Sequence, residues 1–295
     1  MFLNSVILIL QEFLEAALLI SVLMVLSKRF NIKPVWVIAG IGVGVIGALL
    51  FALNMAEVSE WFDYVGQEVG NALIQLTLLL VLGLLAFQLS TRTTRPTTFK
   101  GTPHFYNDSS SDLKNPLKIM VSMILAVSLA ITREGSEIFI YIGGVINQPS
   151  HVQPTLAGSG IGAGIGISAG ILIYYGLLGL PTKKIIQSSL SLLALVGGNM
   201  ASQATLLLTQ ADWLPYSKVL WDSSTLLPEN SVVGHLLYAL VGYEATPSLF
   251  QFLSYLSGVS LILLCWLLSM VMDKPARSLS TQATTIKTNN KGCHS

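Results

Sequence analysis

Arg133, Glu134, Gly135, Ser136 and Glu137 set one cation and two carboxylates inside a run that is otherwise Leu, Ile, Val, Ala, Phe and Met. An ionisable side chain at bilayer depth costs roughly 2.5 to 3.5 kcal/mol on insertion scales, so three together call for a functional reason. On a helix, Glu134 and Glu137 stand three residues apart and project from one face, with Arg133 on the neighbouring flank. The spacing occurs twice: Glu12 and Glu15, preceded by Gln11, repeat it in the first apolar run. Four carboxylates with no His or Cys among them suit a hard cation, and oxygen-bound Fe(II) or Fe(III) is admissible. With one arginine against four acids, repulsion among the acids links cation binding to proton release.

The elements that must position these groups are membrane helices. The chain has 295 residues, of which 52% are hydrophobic and 11% charged, about half the charge of a soluble domain. Seven runs approach the ~20 residues needed to span a bilayer: residues 2–27, 35–54, 69–90, 117–146, 155–180, 185–209 and 249–272. None alternates polar and apolar residues as a barrel strand would, so the expected fold class is an all-α polytopic membrane protein. The first run lacks a basic flank and a small-residue cleavage site and carries an acid pair. It reads as a retained helix rather than a signal peptide.

Loop charge sets the orientation. Lys28, Arg29 and Lys33, then Arg92, Arg95, Lys100, Lys114 and Lys118, then Lys183 and Lys184, and finally Lys274, Arg277, Lys287 and Lys291 all fall on one side of a seven-helix chain. Basic loops stay cytoplasmic, so the N-terminus is expected outside and the C-terminus inside, in a plasma or bacterial inner membrane. The outer side is acidic: Glu57, Glu60, Asp63 and Glu68 follow helix two, and Asp212, Asp222, Glu229 and Glu244 precede helix seven. Glu57, Glu60 and Asp63 fit one helical face and are a candidate external mouth for cations.

The acid pairs lie 122 positions apart, and two glycine runs repeat at an offset of 120: Gly40, Gly42, Gly44 and Gly47 in helix two; Gly158, Gly160, Gly162, Gly164, Gly166 and Gly170 in helix five. This predicts two three-helix units, about 1–90 and about 117–209, plus a seventh helix. Because three is odd, the units are inverted, and the site is expected at the midplane between them. Small residues let backbones approach, so helices two and five should pack closely against the carboxylate helices. Asn71 and Gln75, and Asn199, Ser202 and Gln203, occupy matching helices, either lining a path or bonding between helices.

The transmembrane domain is expected to occupy residues 1–273, with an external loop at about 210–248 that includes a short helix over Ser231 to Val241. The Ser-, Thr- and Asn-rich connector 91–116 and the tail 274–295 read as mobile or disordered cytoplasmic segments. His104, His151, His235 and His294 show no ligand spacing, and Cys265 and Cys293 imply no disulfide framework. Nothing points to nucleic-acid binding. No nucleophile–base pair, nucleotide loop or haem spacing points to an enzyme.

The duplicated motif in the first and fourth of seven helices, complete at Arg133 to Glu137, resembles that of the oxidase-dependent iron permease family, which includes yeast high-affinity and bacterial Efe-type permeases. The segment Gly242, Tyr243, Glu244, Ala245, Thr246, Pro247, Ser248 and Gln251 resembles the family's stretch before helix seven. The resemblance implies that Glu12, Glu15, Glu134 and Glu137 bind and translocate iron. Arg133 and Gln11 would support them, iron would be substrate rather than cofactor, and a separate ferroxidase or periplasmic iron-delivery protein would be a partner. A homo-oligomer is also compatible. The chain departs from the family at Gln11, where an arginine is usual. The alternatives are a permease for lead or manganese and a non-transporting scaffold or sensor subunit.

Overall fold

A computed structural model describes residues 2–90, 116–146, 149–229 and 231–272. The expected mobile connector and tail lie outside the described residues, apart from Pro116, which opens a helix. The order is α1 (Phe2–Arg29), α2 (Val35–Leu53), α3 (Met55–Tyr64), α4 (Gly66–Ser90), α5 (Pro116–Ile146), α6 (Pro149–Leu178), α7 (Thr182–Gln210), α8 (Val232–Val241) and α9 (Leu249–Met272). Among the described residues the only β-pairing is an isolated antiparallel bridge between Val219 and Ser248.

Among the described residues six helices are long and apolar enough to cross a bilayer: α1, α2, α4, α6, α7 and α9. The remaining run of the seven expected is α5. Its 31 residues give a helix of about 46 Å, but Lys118, Arg133, Glu134 and Glu137 interrupt its apolar character.

The inner bundle is a ring. α1 packs on α5, α5 on α4, α4 on α7 and α7 on α1, while the diagonals α1–α4 and α5–α7 make little contact. Leu18, Leu19, Val22, Leu23 and Leu26 of α1 enter its apolar core with Leu78, Leu82 and Leu85 of α4, Met123 and Val127 of α5, and Leu193 of α7. α2, α6 and α9 lie outside and turn Ile38, Leu172 and Leu264 outward, where lipid tails would receive them.

Glycine decides how the outer helices seat. α6 lays Gly158 on Ser5, Gly162 on Ile9, Gly166 on Phe13 and Gly170 on Ala17 of α1. α2 lays Gly40 on Val127 and Gly44 on Ile131 of α5, and Gly135 of α5 meets Ala48 of α2. A Cβ at Gly162 would stand 2.5 Å from the Val6 carbonyl oxygen, whereas one at Gly164 would meet nothing within 4 Å. The glycines of α6 that touch α1 are thus spaced by four, one face of a helix, while on α2 Gly40 and Gly44 keep that spacing and Gly47 adds a contact with Thr132 three residues on.

Two local features bear on function. The chain leaves helical geometry at Trp61, and Phe62 and Asp63 have φ of 54° and 64°, because the backbone must fold back so that Gly66 can lie against the Val58 carbonyl. Glu57 and Glu60 stay on the helical part, so the expected single face with Asp63 is not formed. α8 matches its expectation: Ser231 caps it by accepting from the Gly234 N–H at 2.9 Å, and Gly242, with φ of 70°, ends it in a left-handed turn.

Candidate functional site

Each site residue follows from the helix that carries it. In α5, Gly135 faces α2, so Arg133, Glu134 and Glu137 fall on the flank toward the ring and α1. In α1, Phe13 and Ala17 face the glycines of α6, which leaves Glu12 and Glu15 toward α5. Where α1 and α5 meet, the two acid pairs come together.

Arg133 organises them. Its Nη1 donates to Glu15 Oε2 at 2.9 Å and to Glu134 Oε1 at 2.6 Å, so one nitrogen ties α1 to α5. Its Nε lies 3.3 Å from Glu137 Oε1, within ion-pair range. Glu12 stands beside Glu134. The burial is nearly complete, with Glu12 and Glu15 at 5% exposure and Glu134 at 3%. The Glu137 side chain, 32% exposed, is the accessible member of the set. Glu12 Oε2, Glu15 Oε1 and Glu134 Oε2 are buried and accept no hydrogen bond. Among the described residues no three acidic, His or Cys groups stand in metal-holding proximity, since the guanidinium lies between the carboxylates.

The remaining sequence candidates are dispersed. Gln11 lines a small cleft between α1 and α8 with Ile7, Leu10, Val232, His235 and Leu236. Glu57 lines a cavity of about 590 Å³ among α2, α3 and α4 that reaches Thr132, the residue before Arg133. Glu60 and Asp63 are exposed on α3.

Two residues near the site were not singled out by sequence reasoning as part of it. Tyr238 of α8 is half-buried, and burial, followed by the negative charge of Glu15, holds its hydroxyl well above the usual phenol range. It stands close enough to the acids to feel them. Glu244, just beyond α8, accepts from Gln251 Nε2 at 2.7 Å. Burial raises it to about 7, Gln251 offsets part of that, and Glu229 adds to it. The signal for Glu244 lay in the segment Gly242 to Gln251. Tyr238 had no distinguishing signal beyond being one aromatic of a loop whose Trp213, Tyr216 and Trp221 remain on the surface.

The iron permease FTR1 family matches residues 2–279. The chain belongs to that family. It is an integral membrane protein by the same match and by its six long apolar helices. Its curated relatives include the ferrous iron permease EfeU of Escherichia coli O157:H7 and that of Shigella sonnei (strain Ss046), each 23% identical over 243 residues, covering 81% of this chain and 86% of the relative. No solved structure matches.

Proposed function

We propose that this chain carries iron across its membrane, with Glu12, Glu15, Glu134 and Glu137 as the receiving carboxylates and Arg133 as the resident counter-charge. The observation that carries this reading is the single buried point where Arg133 bonds an acid of α1 and an acid of α5, in a chain of an iron permease family. An arriving cation takes over the arginine's role, and its departure restores the ion pairs. The relatives' designation as ferrous permeases favours Fe(II) as the cargo. In this reading α5 is a seventh span despite its charges, which face the ring rather than lipid.

An inverted repeat accounts for the site. The contacts repeat with it: Ser5 on Gly158 corresponds to Val127 on Gly40, Ile9 on Gly162 to Ile131 on Gly44, and Phe13 on Gly166 to Gly135 on Ala48. The first partners of each comparison differ by 122 positions and the second by 118, so the glycine register is 118 rather than 120. Glu12 beside Glu134, and Gln75 bonded to Gln203, are pairs of equivalent residues meeting each other, as they must near a two-fold axis. The excess of basic loops on one side supports an external N-terminus.

The test is uptake of radiolabelled iron by full-length protein in liposomes, with iron held reduced in one arm and oxidised in the other, and with manganese and lead as competitors. Uptake of reduced iron that the competitors fail to suppress is expected. Equal movement in protein-free vesicles, or preference for another metal, overturns the reading.

A further inference from the structure

The carboxylates occupy one side of the inner ring, where α1 meets α5. The opposite side, where α4 meets α7, carries a second polar group that the ion-pair site does not use. Gly70, Asn71 and Gln75 on α4 and Gly198, Asn199 and Gln203 on α7 share the pattern Gly-Asn-x-x-x-Gln. Asn and Gln four residues apart share a face of each helix. The two faces meet: Gln75 Nε2 donates to Gln203 Oε1 at 2.7 Å across 128 positions, and Gln203 Nε2 donates to Asn199 Oδ1 at 3.2 Å. Asn71 and Asn199 are each 4% exposed, Gln203 4% and Gln75 0%.

The donors and acceptors do not balance. The oxygens of the α7 amides each accept a bond, while both oxygens on α4, Asn71 Oδ1 and Gln75 Oε1, are buried with none. A pair of amides needed only to join two helices would be satisfied within itself. Depth adds to this. Gln75 lies 9 residues from the start of α4 and Gln203 7 residues from the end of α7, against 10 residues from the start of α1 for Glu12 and 12 from the end of α5 for Glu134. In helices of alternating direction these are roughly 10–18 Å from the same face of the bundle. Amides and carboxylates are therefore at matching depth on opposite sides of a ring whose diagonal helices scarcely touch.

We infer that the Asn71–Gln75 and Asn199–Gln203 stripes form an uncharged oxygen station that takes the iron ion from the carboxylates, an inference that rests on the transport reading above. Amide oxygens are hard, neutral donors like the backbone and Asn or Gln carbonyls that ligate hard cations. A transport path needs sites that hold an ion firmly enough to admit it and weakly enough to release it. Four acids with a buried arginine serve the first need, and neutral oxygens serve the second.

The experiment measures initial uptake of radiolabelled Fe(II), kept reduced with ascorbate, by full-length protein in liposomes, together with equilibrium Fe(II) binding to the solubilised protein. Asn71→Leu is the first variant, since Asn71 Oδ1 accepts no hydrogen bond that the change would break. Gln75→Leu/Gln203→Leu is the second: it replaces both partners of the bond between the helices with apolar groups of similar size, and its one further loss is the Gln203 donor to Asn199 Oδ1, whose structural cost the binding measurement reads. The station requires kcat to fall about tenfold or more in both, with Fe(II) binding within twofold of wild type. Gln75→Glu, which keeps an oxygen and adds charge, should lower KM and kcat together. Uptake within twofold of wild type in both leucine variants overturns the station and leaves the transport reading standing. Loss of binding together with uptake makes the amides structural and overturns it also. Wild-type protein that moves no iron overturns both.

Discussion

Arg133 Nη1 on α5 lies 2.9 Å from Glu15 Oε2 on α1, with 118 positions of chain between them. The contact is buried, and the same nitrogen bonds Glu134. Removing one member of a buried ion pair leaves the other charge uncompensated, at about 3–5 kcal/mol. Arg133→Leu should therefore lower stability by about that amount, read as a fall in the thermal unfolding midpoint in detergent. Arg133→Lys keeps the charge, but a point charge cannot reach three acids as the planar fork does, so it should fall between leucine and wild type.

The carboxylates divide by access. On the proposed reading, Glu134→Gln and Glu137→Gln should each abolish iron uptake in cells that express normal amounts of protein, because each removes one of the carboxylates proposed to receive the ion. Uptake at wild-type level in both would sink the proposed site. Glu57→Gln and Glu60→Gln lie on exposed α3. Their effect should stay within about threefold and fade as salt rises, since screening over a Debye length of ~8 Å weakens steering at physiological ionic strength.

Packing of the outer helices gives a paired comparison. Gly162→Ala drives a methyl against the α1 backbone, while Gly164→Ala points into open space. Overpacking costs typically about 1–3 kcal/mol. The first variant should unfold at a lower temperature in detergent, and the second should match or slightly exceed wild type. Equal midpoints would contradict the glycine contacts.

Glu244 supplies a pH dependence. Burial raises it to about 7 from the ordinary value of 4.5. A carboxyl raised in the folded state binds its proton more tightly there than in the unfolded chain. Its contribution is therefore fully present below about 4.5 and is lost as pH rises through about 7. A glutamine at this position mimics the protonated form, so Glu244→Gln should raise the unfolding midpoint relative to wild type at about pH 8 and leave it unchanged at about pH 4.5. Partial exposure to solvent tempers the size of the effect.

The sequence was most legible where it was least economical. Charges at 12, 15, 133, 134 and 137 stand out because apolar neighbours give them no ordinary reason to be there, and the glycine runs stand out because small residues are spent where a helix must be approached. That α2 and α6 would seat on the carboxylate helices could be read from those runs. Which seats on which could not, since Val127 and Ser5 carry no mark of their partners. Asp63 was misread because residue spacing assumes an unbroken helix, and the break at Trp61 comes from the fold-back onto Gly66. Tyr238 was invisible for another reason: its neighbours at the acids arrive from α1 and α5, about a hundred residues or more away.

The exchange of glycine faces has a consequence for how the chain is built. α1 is synthesised first, yet its seat is α6, and the counter-charge for its acids is in α5. The first three long helices emerge carrying two uncompensated carboxylates and an unfilled groove on α2, and only the second half supplies what each lacks. Neither half is a finished object that later docks with the other. Each is a mould for its counterpart, and the buried cluster of acids around Arg133 is cast in the joining.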